Sequence, residues 1–285
     1  MRRSCPIRSS FTARTARTAR VAAIAMAAGA LGLATPALAW GPGAHARITS
    51  EAIDTLPKGL KAYYKAHRLE IPSLSAEGTT AEDAPDRRFT ADLVLPFPFS
   101  DLPRTEAALQ ERFPGDAGKI GRLPWLIQES YARLVEAFRS GDKTRILAES
   151  DTLGGYVADM SNPLALTDNS DGQKTGQHGL WVRFGTKLPE AMDKRLKLGA
   201  EAARFLDDPR GQVFAMGSAA YVWVDNLLYE EELARRGQSG YGALYYEALE
   251  RRAGHLLRAR FDQAATDVGS YWFTAWTAAG RPEMK

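Results

Sequence analysis

The stretch Lys143–Met160, KTRILAESDTLGGYVADM, decides the fold class of this chain. Its apolar residues recur every three or four positions, which is typical of one buried face of an α-helix and not of a strand. The members of that face are Ile146, Leu147, Leu153, Tyr156, Val157 and Met160. Asn162-Pro163 follows as a stop signal, because proline cannot continue a helix. The stretch therefore predicts a long amphipathic helix inside a helical protein.

Helical periodicity continues on both sides of this stretch, and no convincing alternating strand pattern accompanies it. We predict further helices at 47–56, 58–67, 106–113, 124–139, 188–206, 212–236, 241–269 and 270–279. The segment 71–102 contains four prolines and little periodicity, so we expect a long irregular loop of the kind that usually has a function. A second, polar loop is expected at 164–179. The sequence indicates one all-α domain, a multi-helix bundle without linkers or repeats.

The first 39 residues have the pattern of an export signal. Six arginines precede an apolar run from Val21 to Leu33, and Ala37-Leu38-Ala39 is a small-x-small cleavage site. The apolar run is too short to be a good membrane span, and no later segment offers a better one. We therefore expect a signal peptide at 1–39, a domain at 40–285 without a transmembrane segment, and a periplasmic or secreted location.

The charge and cysteine content narrow the possible functions. The whole chain has a formal charge of +3, but without the leader 31 basic residues face 34 acidic ones, which gives −3. Bulk charge therefore does not indicate nucleic-acid binding, which needs a clustered basic surface. The only cysteine, Cys5, lies in the leader, so no disulfide is expected in 40–285. A domain of this length can bury a sufficient core without one.

Cleavage after Ala39 would make Trp40 the first residue, ahead of Gly41-Pro42-Gly43-Ala44-His45. A free α-amine and the carbonyl of the same residue can chelate a metal, and the imidazole of His45 can add another nitrogen. The alternative is that Trp40 is simply the first aromatic residue of the core. The spacing leaves both interpretations open.

The Trp-Gly-x-x-x-His motif directly after a signal peptide resembles the start of the bacterial zinc-dependent phospholipases C and the single-strand-specific zinc nucleases. Further similar segments follow in the same order along nearly the whole mature chain: Ala84-Pro85-Asp86, Leu123-Pro124-Trp125, 154–163, Asp171-Gly172-Gln173, Thr175-Gly176 and 271–282. The resemblance implies a mostly helical fold that holds three zinc ions. In that family a metal-bridged hydroxide attacks a phosphodiester phosphorus.

The resemblance identifies only some of the metal ligands that the family would have. Four residues stand at ligand positions of the family: Trp40, His45, Asp86 and Asp159. At five other ligand positions the family's residue is missing: Pro98, Gly155, Ala165, Trp181 and Gly185. The losses fall mainly on two of the three metals. The resemblance therefore implies at most one zinc ion, bound by Trp40, His45 and Asp159.

A metal-free interpretation explains the same retained residues. A buried acid is costly unless it is paired, and the protonated amine of Trp40 could pair with Asp159 or Asp86. One zinc ion or no cofactor therefore both remain open. Trp181, at the position of a histidine, would either plug the former cleft or stack on a base or a choline-like head group.

Two functions follow from these expectations. The first is an exported binding or scaffold protein without catalysis, because most zinc ligands are missing. The second is a weak or unusual metal-dependent phosphodiester hydrolase that uses the Trp40, His45 and Asp159 site. In either case a phospholipid head group or single-stranded nucleic acid is the expected partner, and the sequence indicates neither a protein partner nor a catalytic residue.

Overall fold

The computed structural model describes residues 39–74 and 86–284, which contain helices and turns but no β-strand. The predicted all-α fold class is therefore confirmed for this part of the chain. The predicted signal peptide, apart from Ala39, and residues 75–85 of the predicted long loop lie outside the described residues. All described residues belong to one compact unit. None of its helices is long and apolar enough to cross a membrane.

Eleven α-helices are found in the described residues. In chain order they are α1 (Pro42–Thr55), α2 (Lys58–Ala66), α3 (Glu106–Arg112), α4 (Ala117–Ile120), α5 (Leu123–Ser140), α6 (Lys143–Met160), α7 (Leu180–Val182), α8 (Leu188–Met192), α9 (Pro209–Tyr221), α10 (Val224–Arg235) and α11 (Ala243–Ala278). A π-helix, Arg183–Lys187, joins α7 to α8. Short 3-10 turns occur at Arg68–Glu70, Pro72–Leu74, Ala91–Leu93 and Pro163–Leu166.

Helix α11 is the centre of the packing and contacts α1, α5, α6, α8, α9 and α10. Its fully buried Trp272 stacks on Tyr64 of α2, with ring centroids 4.7 Å apart. The Trp272 indole N–H donates to the carbonyl of Ser150 on α6 over 2.9 Å, and the Ser150 and Tyr64 hydroxyls lie 2.6 Å apart. Burying one such large apolar side chain stabilises the fold by roughly 1.5–3 kcal/mol. These contacts join α2, α6 and α11 into one core.

The prediction for α6 is confirmed at both ends. The Asp142 carboxylate accepts a hydrogen bond from the backbone N–H of Arg145 over 3.0 Å, so it satisfies one of the free donors of the first turn. The helix ends at Met160, immediately before the predicted Asn162-Pro163 stop. Twelve of the residues from Ile146 to Met160 are buried around the predicted apolar face, including Asp151 and Asp159.

The predicted helix at 188–206 is wrong beyond Met192. Residues 197–206, which we call the strap, lie along α11 without helical hydrogen bonds. Four strap N–H groups, those of Gly199, Glu201, Arg204 and Leu206, donate over 2.7–3.1 Å to side chains of α11. The acceptors are spaced four residues apart: Asp262, Thr266, Ser270 and Thr274. These tertiary partners override the helical preference of an alanine-rich segment.

The predicted boundaries in the last third of the chain also need correction. The predicted helix at 212–236 is two helices, because the chain turns at Val222 and Trp223 between α9 and α10. The predicted helices at 241–269 and 270–279 are instead the single helix α11. Gly269 does not interrupt it. The missing side chain lets α1 approach closely, since a methyl group there would overlap the Thr55 hydroxyl.

Candidate functional site

Helix α6 presents Asp151, Gly155 and Asp159 on one face, because residues four positions apart lie one turn above another. His45 from α1 and Arg87 from the following loop meet this face at Asp159. Asp159 is fully buried, and His45 and Arg87 are only 2% and 3% exposed. We call His45, Arg87 and Asp159 the ion cluster.

Both oxygens of Asp159 are in contact with basic side chains. Arg87 Nε donates to Oδ2 over 2.6 Å. His45 Nε2 lies 3.0 Å from Oδ1, close enough for an ion pair but poorly aligned for a hydrogen bond. Burial acts to raise the pKa of Asp159, but the charges of Arg87 and His45 hold that pKa below its ordinary value. Asp159 is therefore ionised at neutral pH.

A second carboxylate, Asp151, lies two turns earlier on the same face of α6. It accepts a hydrogen bond from the backbone N–H of Ser73 over 3.1 Å, and the Ser73 hydroxyl lies 3.3 Å from that of Thr49 on α1. Burial raises the pKa of Asp151, and Ser73 and the charges of His45 and Arg87 oppose this only in part. Asp151 therefore extends the polar layer between α1 and α6.

Arg87 is further held by Tyr156. Its guanidinium carbon lies 4.9 Å from the centroid of the Tyr156 ring, a distance typical of a cation–π contact. The position one turn before Asp159 is Gly155, where a Cβ atom would lie 3.1 Å from Arg87 Nη2. The missing side chain at Gly155 therefore makes room for the guanidinium.

Trp40 lies beside the cluster as a core residue. Its indole N–H donates to the carbonyl of Ala158 over 2.9 Å, and its ring contacts Phe184 and Phe261 at centroid distances of 5.5 and 5.0 Å. In the intact chain its nitrogen is a peptide nitrogen, preceded by the buried residue Ala39. The Ala39 carbonyl accepts a hydrogen bond from the side-chain amide of Asn162. The structure thus places Trp40 as the core interpretation predicts.

Asp86 does not join His45 and Asp159 in the structure. Its carbonyl accepts a hydrogen bond from the backbone N–H of Arg122 over 2.9 Å, and its charge acts on the Arg122 guanidinium. The next residue, Arg87, occupies the place beside Asp159 that we expected for Asp86 or for the amine of Trp40. Asp86 and Arg87 are neighbours in an irregular segment, and their side chains point in different directions. The side chain that contacts Asp159 is therefore a basic one instead of the expected acidic one.

Gly185 and Ala165 are two more of the five positions at which the expected ligand is missing, and both lie near the segments that carry Trp40 or Arg87. Gly185 accepts a hydrogen bond at its carbonyl from the N–H of Gly41 over 2.9 Å, and a Cβ atom there would lie 2.5 Å from the Ala39 carbonyl oxygen. Ala165 is fully buried, and its carbonyl accepts from the N–H of Phe89 over 2.8 Å. Both positions are therefore close to chain segments that carry Trp40 or Arg87.

Pro98 and Trp181 have other surroundings. Pro98 is exposed and lines a small cavity with Phe99 and Phe214. Trp181 is half-buried against the core, and its backbone N–H donates to Asp171 over 3.2 Å. Within the described ranges, neither residue has a contact with the ion cluster.

The ion cluster does not fit a zinc ion. Zinc in proteins is usually held by four donors, and catalytic sites supply at least three of them from side chains. Nowhere in 39–74 and 86–284 do three His, Cys, Asp or Glu side chains converge in a way that could hold a metal. In addition, the guanidinium of Arg87 occupies the side of Asp159 at Oδ2, and its positive charge would repel a cation there. We therefore derive no chemistry from a metal at this site.

Sequence reasoning missed two members of this polar layer, Arg87 and Asp151. The four-residue spacing of Asp151, Gly155 and Asp159 was a usable signal for Asp151, because it places the three on one helix face. No such signal exists for Arg87, which lies in a segment without periodicity. Comparison of the sequence with models of protein families gives no match, and comparison with characterised proteins gives no significant similarity.

Proposed function

We propose that this chain is an exported, non-hydrolytic binding protein on a helical scaffold of the phospholipase C and zinc nuclease type. The observation that carries the proposal is the contact of the Arg87 guanidinium with Asp159 in the space that Gly155 leaves open. An arginine supplies fixed positive charge to the carboxylate where the related enzymes would use a metal. The ordered sequence motifs and the export signal pattern support the scaffold and the location.

The burial of the ion cluster argues against hydrolysis. Cleavage of a phosphodiester needs an activated water and positive charge at the phosphoryl oxygens, and both must reach the substrate. His45, Arg87 and Asp159 are almost fully buried, and both basic side chains contact Asp159. Their charges are therefore used to join α1, α6 and the 86–90 loop. Binding of a ligand elsewhere on the scaffold is the activity that remains.

The experiment uses the untagged mature protein, residues 40–285, with added zinc. We expect no turnover of phosphatidylcholine, single-stranded DNA or a chromogenic phosphodiester above the blank, and a zinc content far below one ion per chain. Turnover that disappears in both His45→Ala and Asp159→Ala would overturn the proposal. The control variant is His255→Ala, because His255 is exposed on α11 and distant from the cluster in sequence.

A further inference from the structure

A polar cavity lies between α9, α11 and the strap, and the ion cluster does not line it. Its volume is about 220 Å³. Helix α11 contributes Arg260, Gln263 and Asp267, which share one face at spacings of three and four residues. Helix α9 contributes an apolar wall that includes Ala215, Met216 and Ala219. One side of the cavity is therefore charged, and the opposite side is apolar.

Arg260 is the residue that indicates a ligand. Its side chain is only 7% exposed, and its Nε atom has no hydrogen-bond partner among the described residues. The guanidinium carbon lies 5.3 Å from the centroid of the Trp223 ring, so one face of the group is covered by an aromatic side chain. Burial lowers the pKa of Arg260, and Asp267 only partly opposes this effect. A buried cation in this state is costly unless an anion joins it.

The remaining polar groups leave the cavity electropositive. Arg204 of the strap lines it together with Arg260, and Asp267 is the only acid in the lining. Asp267 accepts a hydrogen bond from Gln263 Nε2 over 3.0 Å, and burial raises the pKa of Asp267 to about 6, opposed by Gln263 and by the charges of Arg204 and Arg260. Two arginines thus face one carboxyl group, so the lining carries more positive than negative charge.

We propose that this cavity binds a small organic carboxylate, with its carboxylate against Arg260 and its short apolar body against Ala215 and Met216. The planar guanidinium matches the geometry of a carboxylate and forms strong, charge-assisted hydrogen bonds with it. The volume lies below the range of about 300–1,000 Å³ that is usual for drug-sized ligands, so the ligand is small. The apolar wall favours an aliphatic carboxylate over an inorganic anion. This inference rests on the proposed function, since it gives the binding protein its ligand.

The test measures binding of butyrate to the mature protein by calorimetry and by thermal shift at constant ionic strength. Butyramide, which has nearly the same shape without the charge, and inorganic phosphate are the comparison ligands. The variant Arg260→Met removes the charge and keeps most of the side-chain volume, so we expect it to fold. The matched control is Arg258→Met, because Arg258 lies two residues earlier on α11 and is exposed.

We expect the wild type and Arg258→Met to bind butyrate, and Arg260→Met to bind it at least about tenfold more weakly. Butyramide should bind more weakly than butyrate by a similar factor. The inference is overturned by equal affinity in Arg260→Met, by the absence of butyrate binding in the wild type, or by phosphate binding in preference to butyrate. Hydrolysis of phosphodiesters by the same samples would instead overturn the proposed function and leave this result standing.

Discussion

The role of the Asp159 carboxylate depends on the side chains beside it. Its place on α6 follows from the helical periodicity of Lys143–Met160, whereas its proximity to His45 was expected only from the sequence resemblance. Its second partner, Arg87, could not be predicted, since it depends on the path of an irregular segment. The sequence resemblance predicted a metal ligand at this carboxylate, whereas in the structure it forms an ion pair with Arg87.

Removal of the Asp159 carboxylate should strongly destabilise the protein. Asp159→Ala leaves the Arg87 guanidinium buried without its counter-ion, which typically costs about 3–5 kcal/mol. The free energy of unfolding in urea measures the effect. Asp54→Ala is the control, because Asp54 is exposed and its 2.7 Å contact with Lys65 is a surface ion pair worth less than about 1 kcal/mol. Similar losses in both variants would contradict the buried ion pair.

Gly155 allows a direct test of whether this site could hold zinc in place of the Arg87 guanidinium. Gly155→His alone should destabilise the protein by roughly 1–3 kcal/mol, because the new Cβ atom crowds Arg87 Nη2 at 3.1 Å. Adding Arg87→Ala should relieve the crowding and offer zinc three donors, namely the new imidazole, His45 and Asp159. Equilibrium dialysis with zinc should show one tightly bound ion in the double variant alone. Equal zinc binding by the wild type would disprove the prediction.

The carboxyl group of Asp267 should make stability fall as pH rises. Its pKa is raised from 3.8 to about 6, so the folded state favours the protonated form. The stabilising effect of protonation is complete below pH 3.8 and is lost as pH rises through about 6. Asp267→Asn should therefore gain about 2–3 kcal/mol relative to the wild type between pH 4 and pH 8. A difference between the two proteins that does not change with pH would contradict this.

Among the structural elements, α6 could be predicted from the sequence and the strap could not. The ends of α6 were predictable because its cap, its apolar stripe and its proline stop are all local. The strap was not, because the side chains that accept its N–H groups lie more than 60 residues later in the chain. Twelve residues of α11 rise about 18 Å. The strap covers this length with the eight residues from Gly199 to Leu206, which requires a nearly extended chain.

The strap should loosen when one of its acceptors is removed. Ser270→Ala deprives the Arg204 N–H of its 3.1 Å hydrogen bond, with an expected loss of about 1 kcal/mol. Hydrogen exchange should accelerate at Arg204 and its neighbours, while α6 remains protected. Thr152→Ala is the matched control, because the Thr152 hydroxyl donates only to Ala148 of its own helix. Unchanged exchange at Arg204 would show that the strap is held by other contacts.

At the scale of the whole molecule, α11 organises both polar sites. It packs against α1 and α6, which hold the ion cluster, and it carries the charged side of the cavity beside α9. The overall helical class was predictable, because amphipathic periodicity alone selects it. The arrangement of α11 as one continuous helix was not, because its glycine and serine residues also occur at helix breaks. The close approach of α1 explains why a glycine stands at position 269 inside the helix.

Ala39 and Trp40 are both buried, with exposed fractions of 1% and 0%. A peptidase needs an accessible, flexible stretch of chain on both sides of the bond that it cuts. Removal of a leader after Ala39 therefore has to come before the core closes around Trp40. If the sequence pattern does mark a leader that is removed at this bond, a precursor that folded first would keep it. Cleavage and folding would then compete, and slow folding would favour the cleaved product.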